Sequence, residues 1–162
     1  MNPALDWKLL FVLIVANGAP VIAKAILGRR YSIPLDGGRN FPDGQRFLGD
    51  AKTVRGILVS IAAAAAAARI VGLAWIIGAL IAAAAMLGDV ISSFTKRRLG
   101  MPASSMAIGL DQVPESLLPL LASLFVLRLT VADIAAIVAS FVIVELLLSR
   151  LLHRLRLRDR PY

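Results

Sequence analysis

A polar, glycine-rich stretch from Asp36 to Gly56 breaks an otherwise very apolar chain, and nothing else constrains the fold as much. Its twenty-one residues hold three Asp, five Gly and four Lys or Arg. That is too polar to cross a bilayer and too rich in glycine for a regular helix. The blocks on either side are long and apolar, and 59% of the 162 residues are hydrophobic. Soluble domains sit nearer half apolar, with polar residues spread throughout. The expectation is therefore one compact, multispanning membrane domain over 1–162. There is no cysteine, which excludes disulfides, zinc–thiolate sites and a cysteine nucleophile.

About 20 apolar residues are needed to cross the hydrocarbon core, somewhat fewer if the membrane adapts. Five spans are predicted: Leu5–Leu27, Thr53–Ala68, Ile70–Ser93, Val113–Leu127 and Val131–Leu148. The second is short and alanine-rich, which favours close helix packing. The fourth is interrupted by Pro119. The start, with Asp6 beside Lys8 and no small-residue cleavage site, does not read as a cleaved signal. The class expected is all-α: a polytopic membrane protein with five transmembrane helices and a cytosolic polar loop between the first two.

Charge sets the orientation. The formal net charge is +8. With five spans, loops 28–55 and 94–112 and the tail 149–162 share one face and carry fourteen Lys/Arg. The other face carries Lys8, Arg69 and Arg128. The cation-rich face is cytosolic by the positive-inside rule, leaving the N-terminus outside and the C-terminus inside. Merging spans two and three would bury Arg69 at mid-bilayer, at a cost of several kcal/mol. The arginine-rich tail reads as a contact with anionic lipid in the bilayer, and nucleic acid is not expected as a partner.

Two charged clusters then fall on the cytosolic face. The first is the polar stretch: Asp36, Gly37, Asp43, Arg46, Lys52 and Thr53. Asp-Gly pairs are turn formers in their own right. Their nearness to cations, and Thr53 as the N-cap of a helix whose end favours anions, suggests phosphate binding. The Walker spacing is absent. The second cluster is Asp89, Ser92, Ser93, Lys96 and Arg97, all on one helical face. Asp89 lies within an apolar stretch and needs a partner or a metal; a cation such as Lys24 is one possible partner. Asp111, followed by Gln112, is either a helix cap or a second metal ligand. In the first span, Asn17, Pro20 and Lys24 share a face. Lys24 either snorkels to the interface or lines a polar cavity with Asn17. Glu145 is a weaker candidate near the same face, and Asp133 reads as a helix-start residue on the other.

The single histidine lies in the tail, so no Ser-His-Asp set exists. Carboxylates plus cations at a membrane surface suit Mg²⁺-assisted phosphoryl or nucleotidyl transfer, in which positioning and charge neutralisation supply most of the catalysis. A lipid phosphate, with a second pKa near 6, is already largely dianionic at neutral pH and needs no general base.

The segments Leu35-Asp36-Gly37-Gly38, Phe41-x-Asp43-Gly44-x-Arg46 and Leu48-Gly49-Asp50-x-Lys52-Thr53-x-x-Gly56 resemble those of the archaeal CDP-archaeol synthases. Gly88-Asp89-x-x-x-Ser93-Phe94-x-Lys96-Arg97-Arg98, Asp111-Gln112 and Asn17-x-x-Pro20 continue the resemblance along nearly the whole chain. The Ser-Phe-x-Lys-Arg segment is also similar to part of the phosphatidate cytidylyltransferase signature. The resemblance implies CTP, an isoprenoid ether-lipid phosphate (2,3-bis-O-geranylgeranylglyceryl phosphate) and Mg²⁺ as reactants and cofactor, with CDP-archaeol and pyrophosphate as products. On that basis Asp89 and Asp111 are expected to hold the metal, and Lys96 and Arg97 to neutralise the triphosphate. Arg46, Lys52 and Thr53 are expected to hold phosphate oxygens, Asp36 and Asp43 to shape the loop and to add a nucleotide contact, to metal or ribose, and Asn17 and Lys24 to line the cavity. Ser93, Gly37 and Gln112 complete the expected nucleotide-binding set. The alternatives are a CDP-alcohol phosphotransferase, a small transporter and a non-catalytic membrane subunit. The first would require several Asp on successive turns of one helix, a pattern absent here.

Overall fold

The structure, a computed structural model, describes residues 2–102, 105 and 107–154. Five helices follow in order: α1 Pro3–Leu27, α2 Val54–Ile70, α3 Trp75–Arg98, α4 Gln112–Leu127 and α5 Val131–Arg154. Among the described residues there is no strand, only isolated bridges joining Pro34 to Thr53 and Asn40 to Arg46. The all-helical expectation holds. The tail arginines Arg156, Arg158 and Arg160 lie outside the described residues.

Each helix start has a local cause. The Asn2 side chain accepts from the Leu5 amide and Pro3 takes the first helical position, where its missing N–H is not needed. Thr53 caps α2 as expected, its Oγ1 accepting from the Gly56 amide at 3.1 Å. Before α5, the Thr130 hydroxyl accepts from the Asp133 amide, and the Asp133 carboxylate accepts from the Thr130 amide at 2.9 Å. This reciprocal pair fits the helix-start role expected of Asp133.

Four boundaries differ most from the sequence reading. The second helix runs to Ile70 and the third begins only at Trp75. Gly72, at φ +76°, ends α2, and the Leu73 amide donates back to the Ala68 carbonyl. A left-handed glycine closes the helix where hydrophobicity gives no signal. The third helix continues past Ser93 to Arg98, because no breaker occurs before Gly100, and Lys96, Arg97 and Arg98 suit the negative end of its dipole. The fifth extends past Leu148 to Arg154.

The helices pack as a ring: α1 on α2, α2 on α3, α3 on α4, α4 on α5 and α5 back on α1, with α1 also touching α3. Ala64, Ala67 and Ala68 of α2 meet Leu9, Leu13 and Ala16 of α1 and Ile81 and Ala82 of α3 in one buried core. At two glycines α3 meets a neighbour's backbone directly. A Cβ at Gly78 would stand 2.2 Å from the Ala64 carbonyl oxygen, and one at Gly88 would stand 2.3 Å from that of Pro114. Small residues in α2 and glycines in α3 let the helices close without a hydrophobic driving force between them.

Among the described residues three helices are long and apolar enough to cross a bilayer: α1, α3 and the Val131–Leu151 part of α5. α4 is apolar but has only 16 residues, and α2 has 17 with Arg55 and Arg69 near its ends.

Candidate active site

The polar segment between α1 and α2 folds on Asp36. Its carboxylate accepts from the amides of Gly38, Leu48 and Gly49, each at 3.0 Å, and from Arg46 Nη2 at 2.9 Å. The side chain is 1% exposed. Burial alone would raise its pKa, but the Arg46 guanidinium and the three amides outweigh that and hold it well below the usual carboxylate range. Arg46 also reaches Asp50 at 2.8 Å. Asp36 thus shapes the loop from its centre, with Gly37 exposed in the adjoining turn at φ +57°.

A second set of contacts fastens the loop to α3. The rings of Phe41, Phe47 and Phe94 cluster at centroid distances of 5.1 to 5.7 Å. The Arg98 guanidinium lies 4.4 Å above the Phe41 ring, pairs with Asp43 at 2.7 Å and donates to the Arg46 carbonyl at 2.8 Å. Arg55 donates to the Gly28 carbonyl at 3.1 Å and also to that of Arg30, tying the start of α2 to the end of α1.

Where the loop enters α2, Lys52 Nζ contacts Asp89 Oδ1 of α3. A pocket of about 40 Å³ opens beside this pair, between Thr53 and Gly56 of the α2 start, Pro20 of α1 and Met86 of α3. Burial would lower the Lys52 pKa, but the charges of Asp89 and Glu115 raise it above the ordinary value. Lys52 is therefore a standing positive charge at neutral pH, suited to phosphate oxygens and not to taking up a proton.

The second cluster continues from this pair toward α4. Lys96 bonds Asp111 at 2.6 Å and donates to the Ser105 carbonyl at 2.8 Å. Arg97 donates to the Pro102 carbonyl at 2.6 Å. The two cations are only 7% and 6% exposed, and in this conformation both hold the segment after α3. Asp111 occupies the position before α4 without capping it; its Oδ2 accepts from the Ala107 amide instead. Gln112 is fully buried, its Oε1 accepting from the Gly109 amide, and Ser93 is buried on the α3 face that carries Lys96 and Arg97.

The two clusters expected from the sequence are thus brought to one end of the bundle, with Lys52 in electrostatic reach of Asp89 and Asp111, and Lys96 of Asp89 and Asp111. The partner of Asp89 is Lys52, whereas a cation such as Lys24 was one expectation. Lys24 is exposed near the end of α1. Asn17 is partly buried and donates to its own helix, to the Leu13 carbonyl at 3.0 Å. The first amides of α2 are in use: that of Val54 donates to Ile33 and that of Gly56 to Thr53.

Sequence reasoning missed two residues. Arg98 has no site role of its own in the sequence reading, where it stands in the cytosolic cation count and at the end of the Lys96-Arg97-Arg98 run of the resemblance, although three phenylalanines in or beside polar segments hint at a small apolar seat. Glu115 is buried in α4, close enough to Asp89 and Lys52 for their charges to act on one another. The argument that singled out Asp89, a carboxylate among apolar residues, applies equally to Glu115.

Among the described residues no three Asp, Glu or His side chains are grouped to hold a metal ion by themselves. The donors present are nonetheless suited to Mg²⁺, which takes oxygen ligands and commonly binds one or two carboxylates together with substrate phosphates. Asp89 and Asp111 are carboxylates of that kind, each paired here with a lysine.

Compared with known proteins, residues 5–75 and 71–162 match the model of the CarS-like CDP-archaeol synthase family. The chain belongs to the CDP-archaeol synthase family. The CDP-archaeol synthase of Sulfurisphaera tokodaii is 34% identical over 92% of this chain and 90% of its own length. That of Pyrobaculum calidifontis is 36% identical over 94% and 96%. A solved structure, described as an intramembrane enzyme for archaeal membrane lipids biosynthesis, superposes with a TM-score of 0.70 at 31% identity, covering 84% of this chain and 89% of that one. Family members of this length align with nearly the whole chain, so the paired clusters and all five helices fall within the shared region.

Proposed function

We propose that this protein transfers CMP from CTP to an archaeal ether-lipid phosphate, 2,3-bis-O-geranylgeranylglyceryl phosphate, giving CDP-archaeol and pyrophosphate at the cytosolic face of the cell membrane. The observation that carries the reading is the Lys52–Asp89 pair, which joins the polar loop to α3 beside a pocket at the apolar–polar boundary. A lipid phosphate oxygen attacks the α-phosphorus of CTP, and the bond from that phosphorus to the pyrophosphate oxygen breaks. Lys52 and Arg46 receive phosphate oxygens. Lys96 and Arg97 leave their contacts with the 99–111 segment to neutralise the triphosphate and the departing pyrophosphate. Asp89 and Asp111, freed of their lysines, are the residues that would hold Mg²⁺. That ion, when bound, adds positive charge where negative charge accumulates on the phosphates.

Five crossings, the N-terminus outside and the loop inside follow from the distribution of Lys and Arg. In support, both charged loops lie at one end of the bundle, while Asn2 and Asp133, joined by a hydrogen bond, mark the other.

The test is purified protein in detergent with radiolabelled CTP and the lipid phosphate, with and without Mg²⁺. Label in the lipid product together with released pyrophosphate is expected. Turnover of a CDP-lipid with an alcohol, and none of CTP, would instead identify a CDP-alcohol phosphotransferase.

A further inference from the structure

Pro20 lies inside α1 and has no N–H, so the Ala16 carbonyl one turn earlier lacks its helical donor. Ala16 is fully buried in the core that α1 shares with α2. An open carbonyl in such a place is costly. It is not left open. Ser60 of α2, also fully buried, donates its hydroxyl to the Ala16 carbonyl at 2.7 Å. A helical serine or threonine often turns its hydroxyl back into its own helix. Ser92, Thr95, Ser116 and Ser123 do so here, each donating to a carbonyl three or four positions earlier. Ser60 instead crosses to the carbonyl that a proline has vacated. One turn toward the start of α2, Gly56 meets Pro20 itself: a Cβ at Gly56 would stand 3.6 Å from the Pro20 Cβ and 3.2 Å from Thr53 Oγ1. Residues 16 and 60, and 20 and 56, are thus successive rungs between two antiparallel helices. The second rung is a wall of the pocket beside Lys52 and Asp89.

Resting on the reading above that this pocket is the reacting end, we propose that Ser60 is a positioning residue. By replacing the hydrogen bond that Pro20 removes, it fixes how the last two turns of α1 stand over the start of α2. With them it fixes the width of the pocket between Pro20, Thr53 and Gly56. A proline leaves a helix free to bend about the broken bond. Arg55 ties the far end of α1 at the Gly28 and Arg30 carbonyls. Ser60 ties the near side of the break, so the segment carrying Pro20 is held at both ends. Ser60 acts through Ala16 and Pro20 and not on substrate. A misplacement of about 1 Å at a reacting centre can cost about 100-fold in rate.

The experiment is a double-mutant cycle on the full chain in detergent: wild type, Ser60→Ala, Pro20→Ala and the double variant. Pro20→Ala returns an N–H to the Ala16 carbonyl, so the Ser60 hydroxyl has nothing left to replace. Two quantities are read. The first is the spread of distances between spin labels at the exposed positions Ile22→Cys and Leu99→Cys, introduced into each variant. The second is kcat at saturating CTP, per folded protein. With Pro20 present, Ser60→Ala is expected to broaden the distances and lower kcat about tenfold. In the Pro20→Ala background it is expected to leave the spread alone and change kcat less than about twofold. A loss of the same size in both backgrounds would overturn the proposal, since the hydroxyl would then serve packing alone. So would wild-type spread and kcat in Ser60→Ala. If Pro20→Ala does not fold, Ser60→Thr and Ser60→Val decide, because they match in shape and differ only in the hydroxyl. Thr is expected to keep the narrower spread and the higher kcat, and equality of the two would overturn the proposal. A protein that consumes no CTP would refute the proposed activity, while the label distances still decide the role of Ser60.

Discussion

Lys52 and Asp89 lie 37 positions apart in the chain and meet through Nζ and Oδ1 at the mouth of the pocket. The pair is both a latch between the loop and α3 and a neutral resting state for two charges. On the proposed mechanism, a phosphate arriving at Lys52 would release Asp89, so that the event seating an anion would expose a carboxylate for a cation.

Asp89→Asn keeps the shape of the side chain and removes its charge. CTP-dependent label transfer is expected to fall on the order of 10²- to 10³-fold, the scale seen when one electrostatic partner of a transition state is removed. Size-exclusion behaviour in detergent should be unchanged. Lys52→Met should match it in rate. Full activity in Asp89→Asn would remove this residue from the reaction.

Asp36 governs the loop by a different route. Its pKa is depressed in the folded protein, so its contribution to stability is complete above the ordinary carboxylate pKa of about 3.9 and is lost as pH falls through the lower folded value. Loop protection from pepsin, a protease active in acid, should thus persist at pH 4 and fail only in stronger acid. Asp36→Asn should lose about 1–3 kcal/mol at neutral pH, as a buried charged hydrogen-bond centre does, and show no further loss across that acid window.

Arg98 combines a cation–π contact with an ion pair to Asp43. Contacts of these kinds contribute roughly 0.5–1 kcal/mol and 0.2–1 kcal/mol when partly exposed. Arg98→Ala is expected to raise the rate of proteolytic cleavage within residues 39–47 several-fold, without unfolding the helices. Arg98→Lys should recover only part of the protection, since a lysine does not stack as a planar guanidinium does.

Gly78→Ala and Gly88→Ala test the backbone contacts of α3. Each new methyl would meet a carbonyl oxygen well inside contact distance, and overpacking of this kind typically costs about 1–3 kcal/mol. Gly18→Ala, where nothing lies within 4 Å, is the control and should leave the detergent melting temperature unchanged or higher.

Because the chain has no cysteine, single-cysteine variants report topology without background. Asp50→Cys and Leu99→Cys should react with a membrane-impermeant maleimide only from the cytosolic side, and Val131→Cys only from the outside. Labelling of positions 50 and 99 from opposite sides would end the proposed arrangement.

Much of this architecture was readable from letters alone. Long apolar blocks gave the helices, and Thr53, Asp111 and Arg128 marked their approximate ends. The carboxylates and cations that converge were named because each was out of place in its surroundings. What composition did not reveal is pairing. Lys24 and Lys52 look equally able to reach Asp89 on paper, and only packing of α2 on α3 decides for Lys52. Lys96 and Arg97 were read as phosphate binders, yet the path of the chain after α3 gives them nearby carbonyls to hold first. Glu115 was missed because Asp111-Gln112 drew attention to the start of α4, and a carboxylate in a helix's first turn is ordinarily explained by the dipole.

The lengths of the helices set the depth of the chemistry. α3 continues nine residues beyond Asp89 to Arg98, and α1 seven beyond Pro20, the residue facing Gly56 of α2. At about 1.5 Å per residue these ends rise roughly 10–13 Å above the Lys52–Asp89 pair. On the proposed assignment, the reaction centre would be the floor of a well with two tall walls and two short ones. The short walls, α2 and α4, are about 25 Å long against a hydrocarbon layer of about 30 Å. On the proposed five-span arrangement, lipid abutting them would be drawn thin, lowering the headgroup plane on that flank toward the floor. Turnover in reconstituted vesicles should accordingly slow as acyl chains are lengthened, because a thicker bilayer must dip further to deliver its phosphate.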